Sequence, residues 1–519
     1  MCKKIKIIYI FILVFCLTGC YGELDPIDYS EINPSIFPQT EEDLQSLVLS
    51  CYYPLRSQWY DGINSLSERG VMMPNDCCTE ILTQEWDIMK ACSDMSYNET
   101  TANITYFYYS RTDPSDNPGS FGFHQKISRC TLVMDAIDNS NLSDTLKNRY
   151  DAEVRCARGF LSYILFDMFG PLVIAPLEVL KSPLNEQPLP RLSNDEMVKF
   201  IEDDLLFAAE YLPGPRQVQY GKFSKGLAKM LLIRLYLHET PRDKSYYNKV
   251  EALAREMMTS GFGYALMPSY PSLFEFRGMT AANTEYIYVI PCNHEGTSVN
   301  HWHREVLPGD YPGFSGWHMA RNTWWFYDTF EANDTRKTYM ITEYTNAQGE
   351  TFNRENTGGI SYLHLGPIPS KYEIDYEANR YDGQSNLDAV VYRYADVLLS
   401  LAEAIVMKPG GSVNAEAIEL VNTIRRRAGL ENKVWTTGGI PSQQEFIDQL
   451  LTERSHEFWC ENGQYRADLI RFDKLYDRVM ELNNGLAPFA SKDKYLYPLP
   501  LSVIVDGKGL VLQNPGYAQ

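Results

Sequence analysis

The longest amphipathic stripe in the chain sets the terms for its fold. Over residues 147–169, Val154, Ala157, Leu161, Ile164, Leu165 and Met168 recur at three- and four-residue spacing, and Gly170-Pro171 stops the pattern. A helix patterned this way must bury that face against other helices, and the sequence supplies them. Ser193 and Glu196 form a capping box that opens a helix ending near Leu212-Pro213. Leu227, Met230, Leu231 and Leu235 make the next stripe, and a helix over 246–260 follows the turn at Pro241. Later, Ala395, Leu398, Leu399, Ala402, Ile405 and Val406 form a stripe that stops at Pro409-Gly410-Gly411. Its partner carries Ile418, Val421, Ile424 and Ala428, with Gly429 as C-cap, and Ser442 with Glu445 opens one more helix through Phe458. Antiparallel helix pairs joined by short turns, at roughly the period of a tetratricopeptide-like array, define an all-α scaffold.

That scaffold is expected over about 40–261 and 387–480, starting at Thr40, which caps Glu41-Glu42-Asp43, with a C-terminal segment over 481–519. Residues 262–386 break the pattern. They are rich in Gly, Pro, Asn and aromatics, and read as a loop-rich, short-strand insert of the kind that carries function. Four of the eight tryptophans fall within it: Trp302, Trp317, Trp324 and Trp325. An exposed indole is a flat apolar plate that stacks on the C–H face of a sugar ring, and neighbouring Asn300, His303, Tyr311 and Arg321 can bridge hydroxyls. Such plates lose little entropy on binding. Trp302 and Trp317, flanked by Gly, Pro and polar residues, are the expected ligand surface. Trp324 and Trp325, just before a short helix, are expected to pack.

The N-terminus adds a location. Lys3, Lys4 and Lys6 precede an apolar run from Ile7 to Cys16, too short to span a bilayer, which needs about 20 residues. Leu17-Thr18-Gly19-Cys20 then resembles a bacterial lipobox, with residues 1–19 as signal peptide, Cys20 as the acylated residue and 20–39 as a proline-punctuated tether. The net charge of −20 repels phosphate backbones, so nucleic acid is not an expected partner.

Catalytic patterns are sparse. Gly313-Phe314-Ser315-Gly316-Trp317 fails the nucleophile-elbow pattern, and no phosphate-binding loop or EF-hand pattern is present. His301 and His303 would share one face of a strand but lack a clear third metal ligand. His456-Glu457 starts like a zincin helix, yet Cys460 stands where the second histidine belongs. The eight cysteines from Cys51 to Cys460 show no C-x-x-C pair. Most are expected to be buried hydrophobes, with one or two disulfides open to an exported chain, among them the neighbours Cys77 and Cys78. No cofactor, metal or enzymatic activity is expected.

Several segments together resemble the SusD/RagB family of outer-membrane nutrient-binding lipoproteins. The resemblance lies in Ala152 to Phe160 with Phe166 to Pro171, in Tyr392-Arg393-Tyr394-Ala395-Asp396, and in Asn422-Thr423-Ile424-Arg425-Arg426-Arg427-Ala428-Gly429. It continues in Glu453-Arg454 with Glu457-Phe458, Arg466 to Phe472, Tyr497-Pro498-Leu499-Pro500 and Gln513-Asn514-Pro515-Gly516-Tyr517. The resemblance implies a non-catalytic lipoprotein of the outer membrane, facing outward, that delivers an oligosaccharide to a SusC-like TonB-dependent transporter. Peptide capture, as in the RagB-like branch, and surface glycoside hydrolysis are the alternative readings. It also implies that an aromatic before the first scaffold helix, here Phe121, and the segment holding Asp76 and Trp86 reach the ligand.

Overall fold

The computed structural model describes residues 38, 40–59, 62–84, 87–101, 122–182, 184, 187–358, 360–440 and 442–518. Within these the chain is mostly helical, with a few short strands. α1 (Glu41–Tyr52) opens on the Thr40 hydroxyl, which accepts from the Asp43 amide. α2 (Met72–Cys77), β1 (Leu82–Thr83) and α3 (Asp87–Ser93) precede the scaffold helices α4 (Phe123–Asp138) and α5 (Asp144–Phe169). The single turn α6 (Leu177–Leu180) leads to α7 (Asn194–Tyr211), α8 (Lys225–Glu239) and α9 (Tyr246–Met257). The irregular region follows as β2 (Tyr286–Ile290), α10 (Trp302–Val306), β3 (Arg321–Asn322), α11 (Trp324–Thr329), β4 (Met340–Ile341), β5 (Tyr344–Thr345), β6 (Thr351–Phe352), β7 (Ile368–Pro369) and β8 (Ala389–Arg393). The chain returns as α12 (Tyr394–Met407), α13 (Ala415–Arg427), α14 (Gln443–Phe458), α15 (Gln464–Arg471), α16 (Leu475–Leu482) and α17 (Leu501–Asp506).

Successive scaffold helices pack side by side: α4 on α5, α5 on α7, α7 on α8 and α8 on α9. α5 and α7 come close because residue 159 is glycine; a Cβ there would sit 2.9 Å from Leu205 Cδ2. Beside it Arg158 donates twice to Asp204, Nε to Oδ2 at 2.7 Å and Nη2 to Oδ1 at 2.8 Å. α7 starts at the expected capping box of Ser193 and Glu196. The stack then continues from α9 directly onto α12. The irregular region therefore leaves and rejoins between two neighbours, and its first and last strands close on each other. β2 and β8 pair antiparallel, with Tyr286 opposite Arg393 and Ile290 opposite Ala389.

The C-terminal segment straps the end of α5. Tyr497 N donates to Met168 O at 2.7 Å, and Asn514 Nδ2 donates to both Phe169 O and Tyr497 O. These bonds satisfy carbonyls that a helix end leaves open. All eight cysteines from Cys51 to Cys460 are free thiols in the interior, so no disulfide is formed, including between Cys77 and Cys78. They behave as small hydrophobes.

Buried ion pairs tie the irregular region to the scaffold. Glu457 of α14 accepts from Arg393 of β8 at 2.8 Å, from Arg336 at 3.1 Å, and from Arg427 of α13. Glu285 accepts from Arg393 and Arg427, each at 2.6 Å, and Glu461 accepts from Arg393 and from Lys371 Nζ. Burial pushes the Glu457 carboxyl up, but Arg427, Arg393 and Arg336 outweigh it and hold the group at about 2. Removing one member leaves the others as uncompensated buried charges. Glu457→Ala is expected to cost about 3–5 kcal/mol, read from the urea midpoint; a loss below about 1 kcal/mol would show that the arginines find other acceptors.

Candidate functional site

Two loops of the irregular region meet at one surface and are joined by backbone bonds. Asn300 and Ser385 exchange N–H···O bonds at 3.1 and 2.9 Å, and Asn300 Oδ1 accepts from Trp302 N to start α10. Residue 59, far away in sequence, is brought to the same place. Ser57 and Val299 are clamped by Val299 N to Ser57 O at 2.8 Å and by Ser57 Oγ to Val299 O at 2.7 Å.

α10 sorts its side chains by direction. Trp302 faces inward, fully buried, and its indole N–H donates to Pro369 O at 2.9 Å. His303 is buried with Nε2 3.1 Å from Tyr372 O. Arg304 points outward: its guanidinium lies 4.5 Å over the Trp317 ring, pairs with Asp382 and donates to Ser315 O. Trp317 is half-buried and meets Trp59, also half-buried, with centroids 4.5 Å apart and planes at 65°. His301 backs Trp59 edge-on at 5.3 Å. The result is a corner of two indoles, one forming a floor and the other a wall, propped by a cation.

A rim of exposed aromatics continues the face. Tyr381 stacks on His294 at 3.7 Å, Tyr376 lies against Gly313, and Asn386 Oδ1 accepts from His294 N. Tyr376 and Tyr381 are 52% and 42% exposed. Burial pulls the His301 and His303 rings down to about 4, so both are neutral at physiological pH. Arg304 and Asp382 cancel, leaving the corner close to neutral.

The structure revises several expectations. Trp302 is a core residue and not a stacking plate, because α10 is a helix and turns it away from Arg304 and Trp317. His303 lies on that helix and His301 is its N-cap, so the two do not share a strand face. Asn300 is buried and acts as a splice between loops. Arg321 is buried on β3, donating to Ser361 O and Val306 O; burial pulls its guanidinium down to about 9, still charged at neutral pH. It cannot reach a surface ligand. Asp76 is buried in α2, accepts from Cys460 N at 2.9 Å and is pushed by burial up to about 7. Tyr311 is half-buried on the neighbouring edge, 5.5 Å from the Tyr344 ring. Trp324 packs, donating to Leu363 O, and Trp325 lies under Arg478. His456 stacks on Phe330 and bonds Thr329, so its likeness to a zincin helix reflects packing. Cys20, Trp86 and Phe121 lie outside the described residues. Among the described residues of the expected set, Trp317 stands in the corner; Trp59, Asp382, Tyr381 and Tyr376 lie outside that set.

Comparison with known proteins places these features in context. The sequence profile of the SusD family matches residues 313–517. SusD-like protein P2 of Formosa agariphila is 25% identical over 99% of this chain and all of its own length. In backbone the chain is similar to a SusD superfamily protein of Parabacteroides distasonis, with a TM-score of 0.74 and 24% identity, over 92% of this chain and 99% of that one. It is also similar to surface glycan-binding protein A of Bacteroides thetaiotaomicron in complex with laminarihexaose, with a TM-score of 0.72 and 21% identity, over 92% and 100% of the two chains.

The corner depends on a missing side chain. Gly383 has φ +77°, and a Cβ there would lie 2.7 Å from Arg304 Cβ. At Gly410, φ is +75° but nothing lies within 4 Å. Gly410→Ala is therefore expected to cost only the backbone term, about 1 kcal/mol, and Gly383→Ala about 1–3 kcal/mol more, compared by urea unfolding. Equal losses would mean that Arg304 yields freely.

Proposed function

We propose that this chain, which matches the SusD family profile over residues 313–517 and is similar to a SusD-like protein along its length, is a cell-surface glycan-binding lipoprotein of that family. It is tethered to the outer membrane through Cys20, holds an oligosaccharide on the Trp59–Trp317 face, and passes it uncleaved to a SusC-like TonB-dependent barrel. The observation that carries this reading is the indole corner backed by Arg304. Two plates at a wide angle cradle a single sugar ring, one under its C–H face and one at its edge. The Arg304–Asp382 pair supplies a planar donor and an acceptor for hydroxyls.

The charge balance points the same way. With both histidines neutral and Arg304 offset by Asp382, the face carries no excess charge to attract an anionic ligand. A protein of similar fold, surface glycan-binding protein A, holds laminarihexaose, which supports this reading.

Two tests separate the parts of this reading. In affinity electrophoresis over a panel that includes laminarin, Trp59→Ala/Trp317→Ala is expected to weaken retention of the bound glycan at least tenfold, about 1.4 kcal/mol or more, with the circular dichroism unchanged. Undiminished retention would remove the face from the account. For the anchor, labelled palmitate is expected to enter the wild-type protein and not Cys20→Ala; equal labelling would exclude Cys20 as the lipid site.

A further inference from the structure

Cavity size narrows the search for a second site. The space between Tyr163 and Arg234 measures about 190 Å³ and that beside Tyr220 about 110 Å³. Both fall short of the ~300 Å³ at which small-molecule sites begin. A cleft of about 490 Å³ reaches that range, at the seam where the irregular region meets α13 and α14. Its walls include Glu331, Asn333, Arg425, Lys433, Trp435 and Gln449. None of these belongs to the Trp59–Trp317 corner.

The cleft is built rather than incidental. Trp435 follows α13 and is held by a buried asparagine: Asn422 Oδ1 accepts from Trp435 N at 2.7 Å, and Asn422 Nδ2 donates to Trp435 O at 2.9 Å. Phe446 of α14 braces the indole edge-on at 6.0 Å. Arg425 is fixed on three sides, by Glu453 at 2.7 Å, Glu331 at 2.5 Å and the Lys433 carbonyl at 2.8 Å. A side chain so committed shapes the wall and is not free to leave it. Other groups keep their capacity. Glu331 Oε2 is buried with no hydrogen-bond partner. Among the described residues, no hydrogen bond engages Lys433 Nζ, the Trp435 indole N–H or the Gln449 amide.

We propose that this cleft is a second carbohydrate site, taking one or two sugar units against the Trp435 indole, with hydroxyls bridged by Glu331, Gln449 and Lys433. A half-buried, preorganised plate ringed by unclaimed donors and acceptors is the arrangement that polyhydroxylated rings satisfy. Arg425 and Lys433 against Glu331, with Glu453 behind, leave no strong net charge, which favours neutral sugars over acidic ones. Two sites on one protein would raise retention of a long polysaccharide well above that of a short oligosaccharide. The ligand class rests on the glycan reading above, while the geometry of the cleft stands apart from it.

Indole N–H resonances of the eight tryptophans report the two sites separately. With ¹⁵N-labelled protein, Trp435→Phe assigns one peak by its loss, and Trp59→Ala and Trp317→Ala assign two more. The probes are glucose, galactose, mannose, N-acetylglucosamine and laminarihexaose, titrated to saturation or to the solubility limit. The expected result is a saturable shift of the Trp435 peak with at least one probe, persisting in Trp59→Ala/Trp317→Ala. Gln449→Ala is expected to weaken that saturation about threefold or more. A Trp435 peak that no probe moves overturns the cleft as a sugar site, whatever Trp59 and Trp317 do. If Trp435 shifts while the other two peaks stay fixed, the second site stands and the corner reading fails.

Discussion

One carboxylate holds the irregular region in register with the helices that follow it. Glu457 lies on α14 and takes guanidinium groups from β8, from α13 and from the turn at Arg336. Each of those arginines reaches a second acid, Glu285, Glu453 or Glu461. Such a lattice is costly to desolvate and adds little net stability over a well-packed apolar core. What it supplies is discrimination. A shift of one residue in the β2–β8 pairing, or a rotation of α14, would strand several buried charges at once. The irregular region is short of regular structure to fix it, so the ion lattice performs the role that strand ladders play elsewhere.

The surface corner inherits its precision from that frame. Arg393 ends β8, and the same stretch of chain carries Ser385 and Gly383 only a few residues earlier. Ser385 is bonded to Asn300, and Asn300 starts the helix that presents Arg304. Rigid placement of this kind lowers the ordering cost when a flat ligand docks. The face therefore works as a preformed surface, even though almost every residue in it sits on a loop or a helix of a few residues.

The scaffold was legible in the sequence because its signal is local. The stripe from Val154 to Met168, the Ser193–Glu196 box and the stop at Gly170 each depend on neighbours within a few positions; the box and the stop appear as expected, and the stripe is buried on a helix that is covered on nearly every side. The binding face is not local. Trp302 and Trp317 sit in equally polar surroundings along the chain, and only the inward turn of α10 separates a core indole from a surface one. Trp59 was invisible for a different reason: its place is set by the Ser57–Val299 clamp, across 242 positions of sequence. Arg321 and Asp76 show the same limit. Charged side chains in a glycan-binding context invite a surface reading, and burial with backbone partners is decided by tertiary packing alone.

The antiparallel closure of β2 on β8 has a consequence for how such proteins diversify. α9 and α12 touch directly, and the segment between them leaves and returns through a two-stranded neck, with further ties at the β1–β3 pair, the Ser57–Val299 clamp and the Arg336 ion pairs. That neck is a graft point. Recognition loops of another length and composition fit above it where a splice keeps those further ties together with the arginine at the end of the returning strand and the acid that precedes the outgoing one.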